Sequence, residues 1–313
     1  MSGPVNPADA SPDQADAGHL ATAPLVELSD SRTEQVGHVT VRRALPRRGR
    51  RTVGAWCFAD HMGPATVTED RGLDIGPHPH IGLQTVTWLT DGEVLHRDSL
   101  GSEQVIKPGQ LNLMTAGRGV AHAEERTGRY RGPLAGIQLW VALPEATRHG
   151  PAAFEHHAEL PRVDLDGGVA TVLVGQLGDL ASPVRHDTPL VGADLDLRRA
   201  ATVPLRADFE HALVVLDGTA VVDGATVSPG KLAYLGSGRD ELGLQVHGQT
   251  RAILIGGEPF GEQILMWWNF VARTRREIDE ARTAWADPDG RFGSVRSTLP
   301  LIPAPVPFWQ EPG

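Results

Sequence analysis

Sulfhydryl chemistry is almost absent from this chain of 313 residues, which holds one cysteine, Cys57. One thiol excludes an internal disulfide and is compatible with a reducing compartment. Its neighbours Ala55, Trp56 and Phe58 are apolar, so a buried, inert thiol is expected rather than a nucleophile. Positive charge is also in deficit, with 29 Lys and Arg against 39 Asp and Glu and a net charge of −10. That balance argues against nucleic-acid binding through phosphate contacts and reads as a solubility feature. No apolar run approaches the roughly 20 residues that span a bilayer. No charged start followed by an apolar stretch marks a secretory signal. The expectation is a soluble, cytoplasmic protein with no membrane or nucleic-acid partner. Aromatic residues make up only 5% of the chain, whereas glycine (36) and proline (24) are plentiful. Short strands joined by many turns fit that composition, and the length suffices for two domains.

Residues 1–24 are rich in Ala, Pro, Asp and Gly without periodicity, and read as a disordered tail. Residues 36–45 alternate as a strand, and the arginine-rich 46–51 reads as a solvated turn. The β-branched and apolar run 85–89 and the run 136–143 are further strands. Residues 144–161, with His149, His156 and His157, read as a linker. Beyond it the chain repeats itself weakly. Asp217-Gly218 answers Asp91-Gly92, and residues 229–238 (PGKLAYLGSG) answer 108–117 (PGQLNLMTAG). Such a repeat signals two copies of one structural unit. Thr274-Arg275-Arg276-Glu277 is a capping box that opens a helix, with Ile278, Ala281 and Trp285 on one face and a stop at 287–290.

Two short pairs stand out in the first copy: His78-Pro79-His80 and His122-Ala123-Glu124. Residues two apart on a strand point the same way, so each pair, if extended, presents both groups on one face. A sheet folded back on itself could bring the pairs together. Three neutral imidazoles and a carboxylate suit Fe, Mn, Cu, Ni or Zn, and the lack of thiolate argues against a closed structural zinc site. The competing account is ordinary polar groups of the surface or core; two such pairs in a glycine-rich β context weigh against it. Val86 and Trp88 share parity with His78 and His80, and are expected to line an apolar pocket beside the metal. Asp60 and His61 are adjacent, face opposite ways and are read as structural. His96 is expected to be exposed. Laying the second copy on the first puts Pro204 and Arg206 opposite His78 and His80, and Gly243 and Gln245 opposite His122 and Glu124, so a metal-free second unit is expected.

Gly72, His78, His80 and Gly92, followed by Gly117-Arg118-Gly119 and His122, resemble the two motifs of the cupin barrel. Gln84 stands near the usual position of the cupin glutamate ligand, and Glu124 can replace it. With HPHIGLQTVTWLTDG, MTAGRGVAHAEE and the segment 58–64 (FADHMGP), the chain resembles the pirin family from about residue 35 to about residue 290. The resemblance implies an all-β bicupin: two cupin (double-stranded β-helix) barrels in tandem with a C-terminal helix. The metal-binding barrel would occupy residues 25–150, the degenerate barrel 162–290 and an extended tail 291–313. It implies one Fe(II) per chain, or another divalent transition metal, bound by His78, His80, His122 and Glu124. Two activities follow from it. One is a quercetin-type flavonol 2,3-dioxygenase, with a small aromatic substrate, O₂, and Glu124 accepting the flavonol hydroxyl proton. The alternative is a non-enzymatic, iron-dependent redox-sensing regulator that binds a partner protein. Ile81 and Gln84 stand where regulatory members commonly carry charge, which makes the pocket more apolar and favours the enzyme.

Overall fold

Short strands separated by glycine and proline turns dominate, as the composition predicts. The computed structural model describes residues 26–287 and 290–310. The expected tail at 1–24 and part of the expected helix stop lie outside the described residues. In the first half, seven strands form one sheet in the spatial order Ala153–His157, Leu111–Thr115, Leu83–Asp91, Gly132–Ala142, Trp56–Val67, Val39–Leu45 and Arg32–Val36. A four-stranded sheet, Ile75–His80, Val120–Glu125, Val94–Asp98 and Glu103–Ile106, closes the barrel, and one cavity is lined from both sheets. The second half repeats the plan with an eight-stranded and a four-stranded sheet. The architecture is two cupin barrels in tandem with, among the described residues, one α-helix, Arg275–Trp285.

The barrels pack through their large sheets. Val86, Trp88, Leu113 and Leu139 of the first share a buried cluster with Val174, Val214, Ile253 and Ile255 of the second. At about 25 cal/mol per Å² of apolar surface, each such side chain contributes roughly 1.5–3 kcal/mol. Trp56 ties the barrels further, its indole N–H shared between the carbonyls of Val191 (3.0 Å) and Gly256 (3.1 Å).

That packing corrects the expected pocket: Val86 and Trp88 face the other barrel, and Thr85 lines the interior instead. The strands Ile75–His80 and Leu83–Asp91 lie in different sheets, with Gly82 at φ +68° between them, so alternation does not carry across the turn. A strand buried on both faces reads as nearly continuous apolar sequence, which hides its inward face. The second barrel needs a similar correction. Thr202 pairs with Gly243, and both lie on the outer surface, where they border a shallow groove. The inward residues there are Ala201, Val203, Leu242 and Leu244, an apolar filling. The aligned positions Pro204 and Arg206, Gly243 and Gln245 are therefore not the interior ones.

The ends of the chain change places, which the expected boundaries 25–150 and 162–290 did not foresee. Glu27–Asp30 extends the large sheet of the second barrel by pairing with Lys231–Gly236. From Leu265 onward the chain returns to the first barrel. Phe270 bridges Ile81, and Ile302 N–H donates to the Pro77 carbonyl at 2.9 Å. The approach is close: a Cβ on Gly82 would lie 2.1 Å from the Val271 oxygen, and one on Gly76 2.1 Å from that of Pro300. Ile278, Ala281 and Trp285 bury the helix face as predicted, and Thr274 caps it by accepting from Glu277 N–H. The described part of the expected extended tail, 291–310, is docked, with the Trp309 indole donating to Asp279. The expected linker contains a strand, Ala153–His157, that forms an edge of the first large sheet.

Candidate metal centre

Alternation along Ile75–His80 turns His78 and His80 to one side, and the antiparallel register sets His122 across from His78. A β-bulge after His122 places Glu124 opposite Ile75. The three imidazoles are 1–3% exposed, and one donor nitrogen from each lies within 4.8 Å of the others. His80 Nε2 and His122 Nε2 are 3.0 Å apart.

Backbone carbonyls set two of the tautomers. His78 Nδ1 lies 2.9 Å from the Gly76 oxygen, and His80 Nδ1 lies 3.0 Å from that of Asn269. A carbonyl only accepts, so each Nδ1 carries the proton and each Nε2 keeps a lone pair. Burial holds all three rings neutral. It lowers His80 to about 3 and, together with the neighbouring imidazoles, holds His78 and His122 well below the ordinary histidine range. Neutral imidazole is the form that binds a metal.

Glu124 lines the same cavity at 6% exposure, outside the tight cluster of nitrogens. Burial pushes its carboxyl above the usual range, and it has no ion-pair partner among the described residues. Imidazole lone pairs 3.0 Å apart repel, and a buried carboxylate without a cation is costly. One divalent cation would relieve both, so the three imidazoles fit a mononuclear site, with Glu124 on the wall of the same cavity.

The opposite wall holds Phe58 stacked on Trp140 at 4.1 Å, with Asp60, Met62, Thr85 and Gln138. Asp60 serves structure, as read from the sequence. Its carboxylate accepts two hydrogen bonds from Arg43, at 2.9 and 2.8 Å, while His61 on the other face lies beside Arg42. The Cys57 thiol is buried and pushed up to about 12 by that burial, which leaves it inert.

His96 corrects another expectation. It is 3% exposed, stacks on Phe154 at 4.4 Å and approaches His122 at 3.4 Å. A signal existed in the strand, where Val94, His96 and Asp98 alternate inward with Leu95 and Arg97. Nothing local could have pointed to Asn269, which lies 189 residues from the imidazole it orients.

The family model for Pirin matches residues 38–141, and that for the Pirin C-terminal cupin domain matches residues 191–293. A Pseudomonas aeruginosa protein named "Putative quercetin 2,3-dioxygenase" is 48% identical over 91% of this chain and 92% of its own length. A Caulobacter vibrioides "Pirin-like protein" is 37% identical over 82% of this chain and 91% of its own. The crystal structure of quercetin 2,3-dioxygenase from Acinetobacter baumannii matches with a TM-score of 0.88 at 44% identity, covering 92% of this chain and 97% of that one.

Proposed function

The chain belongs to the pirin family, and on that premise we propose that it is a non-haem iron dioxygenase acting on a quercetin-type flavonol, with one Fe(II) bound by His78, His80, His122 and Glu124. The observation that carries the reading is the buried convergence of three neutral imidazoles beside a buried carboxyl group that has no ion-pair partner among the described residues. Bound there, the metal supplies Lewis-acid stabilisation of a deprotonated flavonol and redox chemistry toward O₂. Glu124 accepts the flavonol hydroxyl proton, because it is the carboxylate of the ligand set and faces the same cavity. The Phe58–Trp140 stack and Met62 offer an aromatic ligand an apolar wall, and the burial of the cavity excludes water.

The cavity measures about 20 Å³. That holds an ion with a water-sized ligand and is far below a three-ring flavonol, so part of the lining must yield for substrate to enter. The same smallness favours a second reading, an iron-dependent redox-sensing regulator that signals to a protein partner without turnover.

Quercetin consumption under air, measured per bound iron, decides between them. The parent should turn over. Glu124→Gln, reloaded with iron, should lose about 10²–10⁴-fold, the usual contribution of a general base. His122→Ala should lose the metal itself. Full activity per iron in Glu124→Gln rules out the base role, and an iron-loaded parent that does not consume quercetin rules out quercetin as substrate and leaves the regulator reading ahead.

A further inference from the structure

His122 is the imidazole of the cluster whose Nδ1 has no carbonyl beside it. Among the described residues its polar neighbour at that atom is another ring nitrogen, His96 Nδ1, at 3.4 Å. Two ring nitrogens can share one proton only if one donates and the other accepts, so the tautomer of His96 decides that of His122. The tautomer of His96 is set in turn on its far side. His96 Nε2 lies 3.1 Å from Asp98 Oδ2, and a carboxylate only accepts. Asp98 is held by two backbone donors, Leu100 N–H and Ser102 N–H, both 2.9 Å from Oδ1. Phe154 stacks on the His96 ring with 13° between the planes and fixes its orientation.

We infer that Asp98 and His96 form a positioning relay that keeps the proton of His122 on Nδ1 and so leaves its Nε2 free to bind the metal. Asp98 accepts a hydrogen bond from His96 Nε2–H, His96 Nδ1 is left as an acceptor, and His122 Nδ1–H donates to it. The inference rests on reading His78, His80 and His122 as metal ligands. It predicts an outsized effect from an isosteric change that touches no ligand. In Asp98→Asn the amide oxygen stays at the Oδ1 position, because the N–H groups of Leu100 and Ser102 require an acceptor. The amide NH₂ is thereby placed against His96 Nε2, which must now accept. The His96 proton moves to Nδ1, His122 Nδ1 must accept from it, and the His122 proton moves to Nε2, the atom the metal needs.

The test uses the full-length protein stripped of metal, with Co(II) as the probe. Affinity is measured by chelator competition, and the ligand field by visible absorption. Asp98→Asn should bind Co(II) about 10–100-fold more weakly, the usual range for the partner of a metal-bound histidine. In a His96→Phe background, where the relay is already cut, the same substitution should cause no further loss. A purely structural role for Asp98 would weaken both backgrounds alike. Imidazole ¹⁵N shifts of the unsubstituted protein loaded with Zn(II), where an ion would take the lone pairs that His80 Nε2 and His122 Nε2 turn toward each other at 3.0 Å, give a readout that needs no variant: His96 should be protonated on Nε2 and His122 on Nδ1. Parent affinity and spectrum in Asp98→Asn, an equal loss in the His96→Phe background, or His122 protonated on Nε2 in the parent overturns the relay alone. A parent that binds no Co(II) overturns the metal reading and the relay with it.

Discussion

Acidifying the metal-free protein should unfold it through the candidate site. His80 titrates near 6.5 when free and near 3 when folded, because burial penalises the imidazolium. Between those values the unfolded chain binds a proton that the folded chain refuses. Unfolding is therefore favoured as pH falls, and stability rises with pH across that window. At pH 8 both states are neutral and the contribution vanishes. At pH 5 the unfolded ring is largely protonated, and about 1.5 pH units of linkage at 1.36 kcal/mol each amounts to about 2 kcal/mol. His78 and His122 are shifted the same way and add to it. Urea denaturation of metal-free protein at pH 8 and pH 5 measures the change. His80→Phe isolates the share of one ring, since a phenyl group can keep the edge contact with Trp140 at 5.2 Å without titrating. The parent should lose about 2 kcal/mol more than this variant over that interval. Equal losses, to within roughly 0.5 kcal/mol, would show that His80 is not held neutral by the fold and would refute the reasoning. Metal should add stability at pH 8, by about 2.7 kcal/mol at a hundredfold excess over Kd, and acid should abolish that increment as protons compete for the ligands.

Elemental analysis after metal loading should give about one tightly held ion per chain, because Ala201, Val203, Leu242 and Leu244 fill the second barrel where ligands would stand; two ions would overturn that reading. Trp56→Phe should leave the carbonyls of Val191 and Gly256 without their shared donor and cost about 1–3 kcal/mol by urea denaturation. Metal content should not change with it, since Trp56 belongs to the contact between barrels. Met62→Ala should enlarge the cavity, cost about 2–5 kcal/mol in stability, and lower KM for quercetin if entry is limited by that wall. An unchanged KM would place the entry elsewhere.

What was legible in the sequence was local. Each candidate pair spans three residues of a strand, and alternation with a period of two needs no knowledge of the rest of the fold. The turn motifs of the repeat and the capping box of Arg275–Trp285 are local in the same way, so two β units and one helix could be read directly. The alternation Val94, His96, Asp98 was equally local, but a polar strand end looks the same whether it faces solvent or a neighbouring imidazole. The tertiary structure decided what depends on two surfaces meeting. Packing of the barrels, each strand between buried on both faces, turned Val86 and Trp88 away from the metal cavity and Thr85 toward it. The return of the C-terminal segment to the first barrel brought the carbonyl of Asn269 to His80 and displaced the boundaries drawn from the repeat. Side-chain parity is defined only within one uninterrupted strand, and a contact across 189 residues leaves no trace in the neighbourhood of either partner.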